Sequence, residues 1–182
     1  MKASPKEHWY AAYTRSRHEK AVAAKLDFLE IENFLPLYSH VSRWKDRKVK
    51  LQLPLFPGYV FVHAPQDQRI RVLQVPGVLS IVSSNGKPLA MPAGDIEHLQ
   101  ASLLQGGEFE PHDYLQVGQR VRLIRGPFEG YEGILQQKKN KTQIVMSIHQ
   151  IMRSFALTVA VEDLVTIGSS AAPPFQRSGM TK

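Results

Sequence analysis

The stretch Val117-Gly-Gln-Arg-Val-Arg-Leu-Ile-Arg-Gly-Pro-Phe-Glu-Gly-Tyr-Glu-Gly-Ile-Leu135 decides the fold of the C-terminal part of this chain. Its first apolar residues alternate with arginines, which is typical of a strand with one buried face. Gly126-Pro127 predicts a tight turn, and Gly130 predicts a positive φ that other residues resist. Phe128 falls at the tip of the loop. It is either exposed at the tip without a role in the core or folded back as a lid over the core, and the pattern leaves both interpretations open.

Short strands continue beyond this loop. Apolar segments at 144–148 and 155–161 follow it, and a polar turn, Lys139-Asn140-Lys141, lies between two strands. Several short strands at this spacing predict a small β-barrel of about five strands, which we place at residues 115–167. Residues 168–182 are rich in Ser, Ala, Pro and Gly, and they predict a disordered tail.

The first 107 residues mix strands with helices. Apolar and aromatic segments at Trp9–Thr14 and Tyr59–Val62 predict buried strands. Ser16 and Glu19 have the spacing of a capping box, so we expect a helix at about 17–31. A basic hairpin at 41–50 and a helix around Ile96–Leu103 follow from the same reasoning. These elements predict an α+β fold, with an N-terminal antiparallel-sheet domain (residues 1–107), its flanking helices on one face, and the barrel after it.

Residues 108–114 connect the two units. The segment contains Pro111, is polar and lacks periodicity. We therefore expect a short, partly stiff linker between two domains that tumble semi-independently. The competing arrangement is a barrel docked on the N-terminal domain, which buries Phe56 or Tyr59.

Composition and charge exclude several classes of protein. The chain has 182 residues and no cysteine, so disulfides and thiolate metal sites are excluded. It has no run of about 18 apolar residues for a membrane span and no apolar signal-peptide core, and we expect a cytoplasmic protein. The formal net charge is +7, and the excess of Lys and Arg lies at residues 1–58 and 111–182. This distribution favours a polyanionic partner.

Patterns of catalytic residues are absent from the sequence. The seven histidines are scattered without the spacing of metal ligands, and neither a Gly-rich phosphate loop nor a Gly-x-Ser-x-Gly elbow is present. We therefore expect a binding protein, not an enzyme, with no metal and no cofactor.

The C-terminal stretch resembles a KOW motif. It is preceded, in order, by Trp9-Tyr10, Phe56-Pro57-Gly58-Tyr59-Val60 and Pro76-Gly77-Val78. Together these blocks resemble the NusG family of transcription elongation factors over about residues 9–167. Trp9–Lys20 is most similar to specialised members, the RfaH-like and UpxY-like antiterminators.

The resemblance implies a function and partners. In this family the N-terminal domain binds the clamp helices of the largest RNA polymerase subunit and suppresses pausing or termination. The barrel recruits a partner such as ribosomal protein S-ten or Rho. A monomeric antitermination factor without cofactors is therefore expected.

The resemblance also assigns residues to these contacts. It puts Phe56 and Tyr59 on the clamp contact, with Pro57 and Gly58 shaping their loop, while Trp9 and Tyr10 divide between the core and the clamp-facing surface. Neighbouring residues of a strand face opposite ways, so we expect an exposed aromatic surface here. Phe128 would carry the partner contact of the barrel.

A second predicted surface is basic. Arg15, Arg17 and Lys25 would attract the phosphates of the exposed non-template DNA strand, and His18 or Tyr13 would stack on a base. The alternative is a solvated helix face. We interpret the cations of the hairpin as a solvated tip.

Two other classes of function remain open at this point. A ribosome-associated KOW protein would bind structured RNA through its barrel and keep Phe56 and Tyr59 buried. An enzyme with an α+β domain and a barrel appendage would need a dense polar cluster, for which the sequence offers no pattern.

Overall fold

The computed structural model describes residues 7–44, 47–112, 118–138 and 141–167. The predicted disordered tail at 168–182 and the tip of the turn at 139–140 lie outside these ranges. The helices and strands follow in this order: β1 (Glu7–Thr14), α1 (Glu19–Phe28), β2 (Asn33–Phe34), β3 (Leu37–Trp44), β4 (Arg47–Pro54), β5 (Tyr59–Pro65), α2 (Arg69–Leu73), β6 (Val78–Ile81), β7 (Ser83–Ser84), β8 (Lys87–Pro88), β9 (Ala90–Met91), α3 (Ala93–Leu104), β10 (Phe109–His112), β11 (Arg120–Leu123), β12 (Glu132–Lys138), β13 (Lys141–Ile148), β14 (Arg153–Thr158) and β15 (Leu164–Thr166).

An antiparallel sheet organises the N-terminal part. Its strand order is β2-β5-β1-β6, and β9 pairs with the first half of β1. The predicted strands β1 and β5 are the two inner strands, with Trp9 opposite His63 and Tyr13 opposite Tyr59. The predicted basic hairpin is β3–β4, with Leu37 opposite Pro54 and the strands paired up to Trp44 opposite Arg47. The mixed α+β class is therefore confirmed.

Helices cover both faces of this sheet. Tyr10 and Ala12 belong to a core with Val22 and Leu26 of α1, together with Val72 of α2. Trp9 and Ala11 point the other way and share a second core with Ile96 and Leu99 of α3. The prediction of helices on one face is wrong because both sets of alternating side chains on β1 are apolar, so each face needs a cover.

The C-terminal part is a six-stranded antiparallel sheet. Its order is β10-β14-β13-β12-β11-β15. Gly130 has the predicted positive φ, 85°, and its amide donates to the Leu123 carbonyl at 2.7 Å to close the loop before β12. Within the described residues the end strands β10 and β15 do not pair with each other. Among the described residues the sheet therefore does not close into a barrel. It also has six strands, one more than predicted.

The predicted linker contributes that extra strand. Residues 109–112 form β10, with Phe109 opposite Leu157 and Pro111 opposite Phe155 of β14. Phe109 is buried, and the Gln143 side chain donates to Glu110 at 2.7 Å. The expectation of irregular chain is wrong here because one buried aromatic residue anchors a short polar strand at a sheet edge, where proline is tolerated. Residues 113–114 lie outside the described ranges.

The C-terminal sheet is docked on the face of the N-terminal sheet that carries α3. Residues from both parts form one continuous core, which joins Phe56 and Phe61 to Phe128 and Phe155. The Phe56 and Phe155 rings meet edge to face with centroids 5.8 Å apart. In this arrangement the units are docked, which is the second of the two arrangements left open by the sequence, and burying these aromatic surfaces against each other removes them from water.

Candidate functional site

Two separate blocks of sequence meet at the end of β1. The Thr14 amide donates to the Gly58 carbonyl and the Arg15 amide donates to the Gly77 carbonyl, both at 2.8 Å. The Phe-Pro-Gly-Tyr and Pro-Gly-Val blocks therefore meet at the C-terminal end of the strand that contains the Trp-Tyr block. At Gly77, φ is +105° and a Cβ atom would lie 2.9 Å from Val22 Cγ2, so only glycine fits without displacement.

Glu19 connects the aromatic loop to α1. Its buried carboxylate accepts the Gly58 amide at 2.7 Å. The predicted capping box is therefore wrong, since Glu19 binds a loop 39 residues away and α1 begins at Glu19 without a side-chain cap from His18. Sequence reasoning missed this role because a capping box and a tertiary contact use the same residue type at the same place.

The aromatic loop lies at the boundary between the two units. Phe56 is only 1% exposed and packs on Phe61 and Phe155, both with centroids 5.8 Å away. Tyr59 is half-buried between the Tyr13 ring, 5.4 Å away, and the Arg153 guanidinium, 6.0 Å from its centroid. Pro57 is exposed. The expected exposed aromatic surface is thus largely covered, because the C-terminal sheet lies over Phe56.

Trp9 and Tyr10 are both buried in the N-terminal sheet, on opposite faces. The Trp9 indole stacks on the His63 ring with centroids 4.9 Å apart. His63 Nδ1 is in turn 2.7 Å from a carboxylate oxygen of Glu32. Tyr10 is surrounded by the α1 and α2 core, and burial raises the pKa of its hydroxyl. Neither ring forms part of an exposed surface in this arrangement.

Phe128 lies inside the core, as the second of the two interpretations of the sequence predicts. It is 2% exposed and folds back over the core. Its ring centroid lies 5.4 Å from Tyr131, 5.9 Å from Phe155 and 6.1 Å from His98 of α3. Exposure at the loop tip is therefore wrong for the docked arrangement, because α3 and the C-terminal sheet enclose the ring together.

A polar cluster joins α3 to the C-terminal sheet. His98 Nδ1 is hydrogen-bonded to the Gly94 carbonyl and lies 2.9 Å from the Tyr131 hydroxyl oxygen, and that hydroxyl donates to Asp95 at 3.1 Å. Burial, together with the charge and hydrogen bond of Asp95, raises the pKa of Tyr131 to about 12. Burial raises the pKa of Asp95 as well, against the lowering effect of Tyr131 and His98. No spacing in the sequence signals this cluster, since Tyr131 lies 33 residues beyond His98 and reaches α3 only through the tertiary fold.

The predicted nucleic-acid residues are exposed. Arg15, Arg17 and His18 form the short turn between β1 and α1, and Arg17 takes a left-handed conformation with φ of 63°. The turn is closed by the His18 amide donating to Arg15 and by His18 Nδ1 lying 2.9 Å from the Ser16 carbonyl oxygen. Lys25 is two turns further along α1, about 10 Å away along the helix axis. The structure thus brings three of the four residues together and sets Lys25 apart.

Metal and membrane features are not found in the part of the chain that the structure describes. No group of three or more His, Asp or Glu side chains there could hold a metal ion. No helix among those residues has the length and apolar character needed to cross a membrane.

Comparison with known proteins identifies the family. The profile described as NusG, transcription termination factor nusG, matches residues 7–100. The chain therefore belongs to the NusG family. Among its relatives, the transcription termination/antitermination protein NusG of Helicobacter pylori is 24% identical over 141 residues, covering 71% of this chain and 80% of the relative.

Two further matches extend over most of the chain. The Escherichia coli transcription termination/antitermination protein NusG is 24% identical over 164 residues, covering 81% of this chain and 91% of that protein. The structure reported as "Domain interaction in Thermotoga maritima NusG" is 25% identical, with a TM-score of 0.55, and the match covers 89% of this chain and 98% of that one. The matched relatives are named as transcription termination/antitermination proteins, and the strand-rich C-terminal unit agrees with the KOW motif predicted from the sequence.

Proposed function

We propose that this protein binds the clamp of RNA polymerase through the Phe56–Tyr59 loop, suppresses pausing or termination, and recruits a second protein through Phe128. The docked arrangement is then a resting state. The observation that carries this proposal is that a single contact covers both aromatic anchors: Phe56 is 1% exposed and Phe128 is 2% exposed at the same junction. Opening the junction would expose both at once, as apolar surfaces that favour a protein partner.

The basic turn gives the proposal a nucleic-acid component. Arg15, Arg17 and His18 remain exposed while the aromatic loop is covered. They are therefore available to the non-template DNA strand before the clamp contact forms, with Lys25 as a more distant contributor. Exposed cations of this kind add affinity without reading sequence. The specialised antiterminator role belongs to this proposal, with Rho or ribosomal protein S-ten as the partner of the C-terminal unit and the cytoplasm as its place of action.

The test opens the junction without touching either anchor. Gly94 lies in the first turn of α3, where a Cβ would be 3.0 Å from the Tyr131 hydroxyl oxygen. We expect Gly94→Leu to displace Tyr131 while leaving the helix intact. Ala24→Leu, on the exposed side of α1, adds the same side chain elsewhere and is the control. Because the chain has no cysteine, dyes on introduced cysteines at Gln66 and Gln137 can report the distance between the units.

The readout is capture of the full-length protein by purified core RNA polymerase. We expect the opened Gly94→Leu protein to bind more tightly than wild type and Ala24→Leu to bind as wild type does. Adding Phe56→Ala to the opened protein should cost about 2 kcal/mol of binding free energy, as for an aromatic anchor. Equal capture of the opened and closed proteins would show that the junction does not control polymerase binding.

A ribosome-associated RNA-binding function is the second candidate. The burial of Phe56 is the feature that this alternative predicts. The two functions differ in their ligand, since the alternative requires the C-terminal sheet to bind structured RNA whether or not the junction is open. Binding of a ribosomal RNA hairpin by wild type and by Gly94→Leu alike, without capture by polymerase, would favour it.

A further inference from the structure

A row of side chains crosses the boundary between the two units beside the basic turn. Tyr13 of β1 and Tyr59 of β5 are directly opposed in register, with ring centroids 5.4 Å apart. The guanidinium of Arg153, from the C-terminal sheet, lies 6.0 Å from the Tyr59 centroid. We call Tyr13, Tyr59 and Arg153 the boundary ledge.

The backbone holds each member of the ledge in place. A Cβ atom at Gly58 would be 3.1 Å from the Tyr13 ring, so the ring lies close over the aromatic loop. Arg153 begins β14 directly after Met152, which has a left-handed φ of 51° and ends the short turn from β13. Arg153 is exposed, and no carboxylate of the described residues forms an ion pair with it. Its charge is therefore available to a ligand.

The outer part of the ledge is open to solvent. Tyr13 is 42% exposed although its ring also packs on that of Tyr59. Arg15 is exposed two residues further along, and Arg17 follows it in the same turn. Aromatic faces beside arginine side chains are the combination that single-stranded nucleic acids require, because bases stack on the rings while cations meet the phosphates.

We propose that, in the docked arrangement, Arg153 joins Tyr13, Tyr59 and the Arg15–Arg17 turn in binding a single-stranded nucleic-acid segment, so that this surface spans both units. The inference deepens the proposed function and rests on its nucleic-acid component. It adds a residue of the C-terminal unit to a surface otherwise built by the N-terminal sheet. A ligand that contacts both units binds the docked state more tightly, so it stabilises docking. The clamp contact, which needs Phe56 exposed, has the opposite effect.

The experiment measures binding of a dye-labelled 15-nucleotide oligothymidylate to the full-length protein over a range of salt concentrations. The variants are Arg153→Ala, Arg17→Ala and Arg125→Ala. Arg125 is the matched control, since it is an exposed arginine of the same C-terminal unit, in the loop between β11 and β12, and its guanidinium lies 3.8 Å from Asp163. We expect Arg153→Ala to weaken binding about fivefold and to lower the salt slope by about 0.7, the effect of one lost phosphate contact, with Arg125→Ala close to wild type.

A second comparison tests whether the docked arrangement is required. In the Gly94→Leu background, with opening verified by the dye distance, Arg153→Ala should cause no further loss. Oligothymidylate should also shift the dye distance of Gly94→Leu toward the docked value. An equal loss from Arg153→Ala in open and docked proteins would overturn the inference, as would equal binding of a duplex of the same length.

The outcomes separate this inference from the proposed function. If Arg17→Ala weakens binding and Arg153→Ala behaves as Arg125→Ala does, the nucleic-acid surface belongs to the N-terminal sheet alone and the inference is wrong. If neither arginine matters, the inference and the proposed nucleic-acid component both fail. Polymerase capture by the opened protein is measured separately and does not depend on either result.

Discussion

At the scale of single residues, Gly77 is a position that a larger residue cannot occupy without strain. Its φ of +105° and the Val22 methyl 2.9 Å from a would-be Cβ both oppose a side chain. We expect Gly77→Ala to lower the free energy of unfolding by about 2–3 kcal/mol, through left-handed strain plus displacement of Val22. Urea denaturation measures this loss.

Gly86 provides the matched control for that substitution. It also has a positive φ, +74°, but no atom of the described residues lies within 4 Å of its would-be Cβ. Gly86→Ala should therefore lose only the strain contribution, about 1 kcal/mol. Equal losses at both glycines would show that the contact with Val22 does not constrain the loop.

Asp95 gives a prediction of pH dependence at the residue scale. Burial raises its pKa in the folded, docked protein, so the protonated form is favoured there relative to the unfolded chain. The contribution of Asp95 to stability is therefore present below its unfolded pKa near 4 and is lost as pH rises through the higher folded value. We expect Asp95→Asn to remove this part of the pH dependence of unfolding.

The measurement compares the unfolding free energy of wild type and Asp95→Asn from pH 3 to 7. The difference between the two proteins should change in the acidic range in favour of the variant as pH rises. A difference that is constant with pH would mean that the carboxylate has the same environment in the folded and unfolded chains.

At the scale of elements, β10 is a strand that sequence reasoning did not foresee. Phe109 anchors it, with its ring 5.8 Å from Phe155. We expect Phe109→Ala to destabilise the protein by about 3 kcal/mol, as for a buried phenylalanine. Leu104→Ala, at a side chain 89% exposed just before the strand, should change the stability little. If Phe109→Ala left the free energy of unfolding unchanged, residues 109–112 would be a linker and not an anchored strand.

At the scale of the whole molecule, the structure predicts one rigid body. NMR relaxation of the full-length protein should give a single correlation time for residues 7–107 and 118–167. The radius of gyration should be about 16 Å, as for a compact chain of this length. Two distinct correlation times for the wild-type protein would contradict the docked arrangement.

The opened Gly94→Leu variant should lose the properties of a single rigid body. It should show two correlation times, a larger radius of gyration and shifted Tyr59 resonances, since Arg153 would leave the Tyr59 ring. Ala24→Leu should match wild type in all three measurements.

The amino-acid sequence by itself determined the elements whose signals are local. The apolar strands β1 and β5, the helix α3 and the hairpin β3–β4 follow from periodicity and turn residues, which depend on neighbours a few positions away. The order of the aromatic, Pro-Gly and KOW-like blocks was likewise enough to indicate the family, which the comparisons confirm. The basic turn was predicted as a group because its members are adjacent in the chain.

Only the tertiary structure decided how these elements use their side chains. Glu19 could cap its own helix or accept the Gly58 amide, and Phe128 could face a partner or the core, with the same local sequence in each case. The two-sided cover of β1, the strand β10 and the His98–Tyr131–Asp95 cluster arise from contacts between residues far apart in the chain. Burial of apolar surface in the folded chain selects among such alternatives. The two residues that form each contact are far apart in the chain, so no short window of sequence contains both of them.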